Sequence, residues 1–391
     1  SNVYHAYQII KAHGIPESNI VVMHYDDLAQ NKANPTPGVV VNTLGGPDVY
    51  KGVPKDYTGT ENFLAVLKGD KNLAQNGKKV VNSGPNDHIY VYFIDHGAPD
   101  LIAFPHKYLY SKDLNGAFKE MHQAKKYAKL VVNIEACNSG SMFEKPLPKD
   151  INVYVTTSAN PQESSYAKDY DNLRHTYLGD YYSGAWLEVI EKQDLTKETL
   201  EQSYKYTVSS QNKSHPQQYG TLAINKLTVS QFLGSKKTVN AYKAPNTGLN
   251  DAVSSRDVPI ALAQKLVEST DDLGQKQEYV AELQRLLTGR QYMDKHIAQY
   301  VQSVQHMLTV NTDAILNGKH AVNNAECYHK FVDTFDQQCF NINQNTYAFG
   351  KLQVFVNVCE QLREPSDANI VVDHLVQYCN DNVSHNNMSI E

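Results

Sequence analysis

The sequence predicts an α/β domain, a mostly parallel sheet flanked by helices, joined through an exposed linker to an all-helical C-terminal domain. Three observations carry this. Two continuous apolar runs, Ile89–Ile94 and Leu130–Ile134, bracket a stretch of helical periodicity. Unbroken rather than alternating hydrophobicity marks strands covered on both faces, and strand–helix–strand order implies a parallel pair with a right-handed crossover. From Gly234 to Arg256 the periodicity gives way to Lys, Asn, Ser, Gly and Pro, the composition of a linker. Beyond it the spacing is helical, and four of the five cysteines lie there.

The elements follow in order. Residues 3–13 carry Ala6, Ile9 and Ile10 at helical spacing and stop at Gly14. Asn19–Met23 reads as a short strand. Residues 31–59 are rich in Gly, Pro, Asn and Asp and read as loops, with a helix over 60–68. Ser111 is expected to cap a helix bearing Leu114, Phe118 and Met121. Ile151–Thr157 is a third strand, and 176–190 a helix. Thr196 is expected to cap the next helix, with Leu195 stapled against Leu200. After the linker, one helix covers 273–288 and ends at Gly289. A second covers 292–308, with Ile297, Val301, Val304 and Leu308 on one stripe. The expected domains are 1–233, a linker over 234–272, and 273–391.

Bulk properties exclude some functions. A net charge of −6 with mixed signs and no basic tract offers nucleic acid no footprint. No apolar run approaches the ~20 residues that cross a bilayer. No Cys-x-x-Cys spacing suggests zinc, and no metal or cofactor is expected. Cys327, Cys339, Cys359 and Cys379 permit three pairings; two disulfides in an oxidising compartment is the simplest reading. Sequons at Asn212, Asn382 and Asn387 agree with secretion. Ser1-Asn2-Val3 reads as internal sequence, so a trimmed or incomplete start is expected.

In an open α/β sheet, ligands bind beyond the carboxyl ends of the strands. His96 and Cys137 stand just past the ends of the two apolar runs, 41 positions apart in sequence. A parallel pairing would bring them together. A thiol and an imidazole at such an edge suffice for nucleophilic acyl transfer: the imidazole takes the thiol proton and later protonates the leaving amine. Gly97 lacks a side chain, so its N–H, with that of Cys137, could form an oxyanion hole. The small polar turn Asn138-Ser139-Gly140-Ser141 would leave the thiol accessible. A buried lone cysteine is more often an inert core residue. His5, His88 and His122 are alternative partners, but none follows a buried strand so directly.

Longer motifs sharpen this. Asp95-His96-Gly97 together with Glu135-Ala136-Cys137-Asn138-Ser139-Gly140-Ser141-Met142 resembles the catalytic signature of the legumains, also called asparaginyl endopeptidases or vacuolar processing enzymes. His5–Ile10, Asn34–Gly38, Gly52–Gly59, Glu163–Ala167 and Thr176–Asp180 are similar too, in the family's order. The resemblance implies a caspase-like fold with His96 as general base, Cys137 as nucleophile and Gly97 as oxyanion residue. It implies that Asp95 is the aspartate with a tendency to form a succinimide. Glu135, Ser164, Ser165 and Asp180 match positions that line or support an asparagine-selective pocket, in which the two carboxylates suit the amide nitrogen.

The resemblance also implies that the family's first strand, the asparagine that orients the histidine and the pocket arginine are not among these residues. Arg174 is the only nearby arginine in the matching region. An incomplete gene model, a splice variant or a trimmed chain is the expectation, and a catalytically impaired isoform acting as a binding or regulatory protein is the alternative. A glycolipid-anchor transamidase subunit is disfavoured by the cysteine-rich tail.

In legumains the helical tail is a death-domain-like inhibitory prodomain. The resemblance implies the pairings Cys327–Cys359 and Cys339–Cys379. It implies activation by cleavage in the linker, with Asp271-Asp272 at the family's main position and acid required to protonate the aspartate. Implied partners are protein and peptide substrates, the chain's own prodomain and cystatin-type inhibitors. The implied location is the secretory pathway, to lysosome or vacuole or beyond the cell.

Overall fold

A computed structural model of the chain describes residues 1–58, 63–236 and 251–384. Two compact units emerge. One comprises Ser1–Gly97 with Leu101–Ser255, the other Ala98–Asp100 with Arg256–Glu391.

The first unit opens with α1 (Asn2–Ala12), followed by the short helices α2 (Phe63–Leu67) and α3 (Lys71–Gln75). Then come β1 (His88–Ile94), β2 (Gly97–Ala98), β3 (Leu101–Phe104), β4 (Lys107–Tyr110), α4 (Ser111–Gln123), β5 (Lys129–Glu135) and β6 (Val153–Thr157). The hairpin β7 (Tyr166–Asp171) and β8 (Thr176–Asp180) leads into α5 (Tyr181–Lys192) and α6 (Leu200–Ser209). β9 (Gln217–Gly220), α7 (Ser230–Leu233) and β10 (Val253–Ser254) follow.

The main sheet has the order β1-β5-β6-β9. β1, β5 and β6 run parallel and β9 antiparallel. The register aligns Ile94 with Glu135, so β1 and β5 end together. Side chains alternate across the sheet. Leu130, Val132, Ile134, Val153 and Val155 pack with Leu114, Phe118 and Met121 of α4. Val131 and Tyr154 face the other way, onto Ala6 and Ile9 of α1 and Trp186 and Ile190 of α5. Helices therefore cover both faces, which is why the strands read as unbroken apolar runs.

Several expectations need correction. Asn19–Met23 is no strand: Met23 makes one isolated bridge to Tyr57, and the N–H of Val22 is taken by the Asp56 carboxylate. Residues 176–180 form β8 rather than helix, because Thr176 to Asp180 have a ready antiparallel partner in β7; the helix starts only at Tyr181. Ser111 is the first helical residue, with Tyr110 at the cap position. Thr199, not Thr196, caps α6, closing a capping box with Gln202, while the Thr196 hydroxyl bonds Asp194. Of the helix expected over 60–68, residues 60–62 lie outside the described residues.

The second unit is helical: α8 (Val258–Glu268), α9 (Leu273–Ser303), α10 (Thr312–Asn317), α11 (Ala325–Thr334), α12 (Thr346–Glu360) and α13 (Ala368–Asn382). α8 falls within the stretch read as linker. α9 runs unbroken through Gly289 where two helices were expected. A mid-helix glycine costs only ~1 kcal/mol, and the buried Leu286, Arg290, Met293 and Ile297 hold the helix from both sides. Phe331, Phe335 and Phe355 build the aromatic centre, with the Phe331 and Phe355 rings stacked at 5.0 Å. Disulfides join Cys327 to Cys359 and Cys339 to Cys379. Among the described residues no helix is long and apolar enough to cross a membrane.

Candidate active site

The parallel register brings the segments that follow β1 and β5 side by side. The Asp95 N–H donates to the Glu135 carbonyl at 3.2 Å, extending the ladder past the end of β1. Gly97 then passes so close to the neighbouring chain that a Cβ there would stand 3.1 Å from the Ala136 Cβ and closer still to the Cys137 carbonyl. Only glycine fits, so the backbone carrying His96 and Gly97 lies against the backbone carrying Cys137.

The loop around Cys137 is held from several directions. Ser158 accepts from the Ala136 N–H at 3.1 Å, while the Ser158 N–H donates to Ile134. Asn138 adopts the left-handed conformation (φ 54°) and donates its N–H to the Glu163 carbonyl at 2.8 Å. This sharp turn ends the strand and starts the short helical turn Ser139–Met142. The Ser165 N–H points at the Cys137 sulfur at 3.3 Å, and the Ser165 hydroxyl lies 3.5 Å from it. The thiol is not open as expected from the small polar turn: Cys137 is 1% exposed. Ser165 covers it, and the hydroxyl of Ser255 stands 3.0 Å from that of Ser165.

Asp95 accepts the N–H of His96 on its own side chain at 2.7 Å. Burial raises the Asp95 carboxyl, against the lowering effect of the His96 charge. The alternative histidines are engaged elsewhere. His5 bonds Asn42 at 2.8 Å, His88 stacks on Phe232, and His122 lies by Tyr127.

Glu135 is 2% exposed, at the end of β5 beside the Cys137 loop. One of its oxygens accepts from both the N–H and the hydroxyl of Ser183, at 2.9 and 3.0 Å. The carboxylate thus sits at the N-terminus of α5, where the helix dipole favours an anion. Tyr92 donates to the Ser183 hydroxyl at 2.6 Å. Among the described residues the other Glu135 oxygen, Oε1, is buried without a partner at normal hydrogen-bond distance, though the Ser158 hydroxyl is near enough to the carboxyl to work against its upward shift. Asp180, at the end of β8, accepts from Asn2 at 2.6 Å. Asn2 is held in turn by Asn42, which also donates to the Leu178 carbonyl. Burial raises both carboxyls, and the Asp180 charge raises Glu135 further; the Asn2 amide works against the shift at Asp180. Arg174 plays no part here: it bonds Asp171 at 2.7 Å and Thr36 at 3.3 Å.

His96, Gly97, Cys137, Glu135 and Ser165 are therefore assembled by neighbouring strand ends, and the charge of Asp180 reaches Glu135. Ser164 precedes Ser165 and is half-buried. Asp271 and Asp272 are exposed, and Asp272 caps α9. Asn212 and Asn382 are exposed; Asn387, with Asn240, Asn246 and Asn250 of the linker, lies outside the described residues. The sequence did not single out Ser158, Ser183, Asn42 or Tyr92. Ser183 gives no local signal: with a helix expected from residue 176 it lies well inside, and only the end of β8 at Asp180 puts it in the first turn of α5. Among the described residues, no cluster of three metal-binding side chains occurs.

The Peptidase C13 family matches residues 1–235, and the legumain prodomain family matches residues 281–379. The chain is 45% identical over 367 residues to the legumain of Rattus norvegicus, an overlap of 91% of this chain and 84% of that protein. It is 42% identical over 380 residues to the legumain of Homo sapiens, covering 95% and 87%. It is 38% identical over 393 residues to a vacuolar-processing enzyme of Vicia sativa, covering 92% and 78%. With peptidase and prodomain both matched and the relatives covered over most of their length, this chain belongs to the legumain family and is a cysteine endopeptidase zymogen with a C-terminal prodomain.

Proposed function

We propose that the peptidase cleaves after asparagine, and after protonated aspartate in acid, with Cys137 as nucleophile and His96 as general base. The observation that carries this is the contact of Gly97 with the Cys137 backbone, which sets the histidine segment against the thiol segment. His96 takes the thiol proton, and the thiolate sulfur attacks the scissile carbonyl carbon. The N–H groups of Gly97 and Cys137 receive the oxyanion. The C–N bond then breaks as His96 returns the proton to the leaving amine, leaving a thioester. Water, deprotonated by His96, attacks the thioester, and the acid product departs as the thiol is re-formed.

Glu135 and Asp180 supply acceptors for the two amide hydrogens of the asparagine side chain. Among the described residues Oε1 of Glu135 has no partner at normal hydrogen-bond distance, which supports that role, since a buried acceptor without a good donor is costly until one arrives. Ser164 and Ser165 line the pocket, and Asp95 supports His96 through the shared turn.

The working division is a peptidase domain over 1–233, a linker over 234–272 and an inhibitory prodomain over 273–391. Its release follows acid-dependent cleavage at Asp271 or Asp272. The chain is expected to carry glycans at Asn212, Asn382 and Asn387, to reside in lysosome, vacuole or the extracellular space, and to bind cystatin-type inhibitors. Two disulfides in the prodomain support an oxidising compartment.

The test is incubation at pH 4, N-terminal sequencing of the fragments, and assay on Ala-Ala-Asn and Ala-Ala-Gln reporters. Cleavage of the Asn reporter alone, lost in Cys137→Ala and His96→Ala, is expected. Undiminished turnover in Cys137→Ala would refute the mechanism.

A further inference from the structure

Residues 251–255 run along the outer edge of β7 toward the thiol. Val253 pairs with Ala167 and Ser254 with Tyr166, antiparallel. The Ser255 N–H donates to the Ser165 carbonyl at 2.9 Å. Because the Ser165 N–H faces the Cys137 sulfur at 3.3 Å, Ser255 occupies the place beside the nucleophile. Four residues back, the Asp251 carboxylate grips two successive backbone donors. One oxygen accepts from Asp169 at 3.2 Å, the other from Tyr170 at 2.7 Å.

The local backbone is shaped for this. β7 pairs with β8 through Lys168↔Gly179 and Tyr170↔Tyr177, but Asp169 between them takes φ 62° and leaves the ladder. A left-handed residue inside a strand turns consecutive N–H groups into an anion-binding nest. The like charge of Asp169 itself is only partly offset by Lys168, whose Nζ lies 3.7 Å from the Asp169 carboxylate: burial and the Asp251 charge still raise the Asp169 carboxyl.

We propose that the N–H pair of Asp169 and Tyr170 is a substrate subsite for a side-chain carboxylate, filled in the zymogen by Asp251. The subsite rests on the peptidase reading given above. Main-chain pairing along a strand edge is indifferent to sequence, so segment 251–255 traces a path open to an extended peptide once the segment has left. A substrate in that register places the residue before the scissile bond where Ser255 lies, and the residue four positions upstream in the nest. The subsite therefore selects acidic peptides, with Asp or Glu at that upstream position.

The test uses enzyme activated from the full chain and reporters Xaa-Ala-Ala-Ala-Asn-coumarylamide at pH 6, with Xaa as Asp, Ala or Lys. The Asp reporter should exceed the Ala reporter in kcat/KM by about 5-fold through KM alone, as expected of a charge-assisted bond made equally in ground and transition states. The Lys reporter should fall below Ala. Moving Asp one residue toward Asn should remove the gain. Equal kcat/KM for all three overturns the subsite and leaves the peptidase intact; no cleavage of any overturns both. In the intact zymogen, Asp251→Ala should release hydrogen-exchange protection at the Tyr170 amide, and unchanged protection would overturn the carboxylate contact.

Discussion

The backbone of Gly97 lies so close to the carbonyl of Cys137 that a Cβ at position 97 would collide with that oxygen. The obstructing atom is backbone, at the end of a fully paired parallel register, and cannot swing aside as a flexible side chain would. Gly97→Ala should therefore push the histidine segment away from the thiol while the sheet stays paired. Turnover of the Asn reporter should fall at least ~100-fold, the cost of losing one oxyanion donor, with circular dichroism unchanged. Retained kcat would show that the approach is irrelevant to catalysis.

Ser183 connects Tyr92 to Glu135. Ser183→Ala removes one of the two donors to the Glu135 carboxylate and strands the Tyr92 hydroxyl. Leaving the buried Glu135 carboxyl with one donor fewer and the Tyr92 hydroxyl without its acceptor is expected to destabilise the chain by ~1–3 kcal/mol. The loosened carboxylate should raise KM for the Asn reporter more than it lowers kcat. Chemical denaturation and steady-state kinetics check the two parts separately.

Stability should fall as pH rises from the ordinary carboxylate range toward neutrality. Burial raises the Glu135 and Asp180 carboxyls, so the folded chain holds protons that the unfolded chain has released. Their contribution is complete below the unfolded pKa of ~4 and lost as pH climbs through the raised values. Asp95 acts in the same direction. Thermal melts of the 391-residue chain should show this slope, and Glu135→Gln should flatten it; an identical slope in the variant would remove Glu135 as its source.

Asn357 stitches together the second unit. Fully buried, it donates to the carbonyls of Ile315 and Gly318 at 2.8 and 2.7 Å and accepts from the N–H of His320 and the amide of Gln353. Asn357→Ala should cost ~2–4 kcal/mol, because several buried groups lose their partner at once. Urea titration followed by near-UV signal from the aromatic core would measure it.

Much of the fold is written in local pattern. The unbroken runs of β1 and β5, the helical stripe of α4 and the position of His96 and Cys137 beyond the strand ends required only periodicity and the rule for open sheets. The expected pairing of the four cysteines came from the family resemblance, since spacing alone left three options.

What failed locally depended on partners distant in the chain. Thr176–Asp180 reads as helix until β7 is there to pair with it, and Asn19–Met23 reads as strand until Asp56 takes its N–H. Gly289 reads as a stop until packing on both sides of it outweighs its propensity.

The sequence by itself determined which residues bear chemistry and which strands carry them, because hydrophobic period and strand order are properties of the chain. Only the tertiary structure decided that the thiol is covered, that Ser183 anchors Glu135 and that Asp251 reaches the β7 edge. Those contacts join residues tens of positions apart, and side-chain distance and burial exist only once the chain has folded.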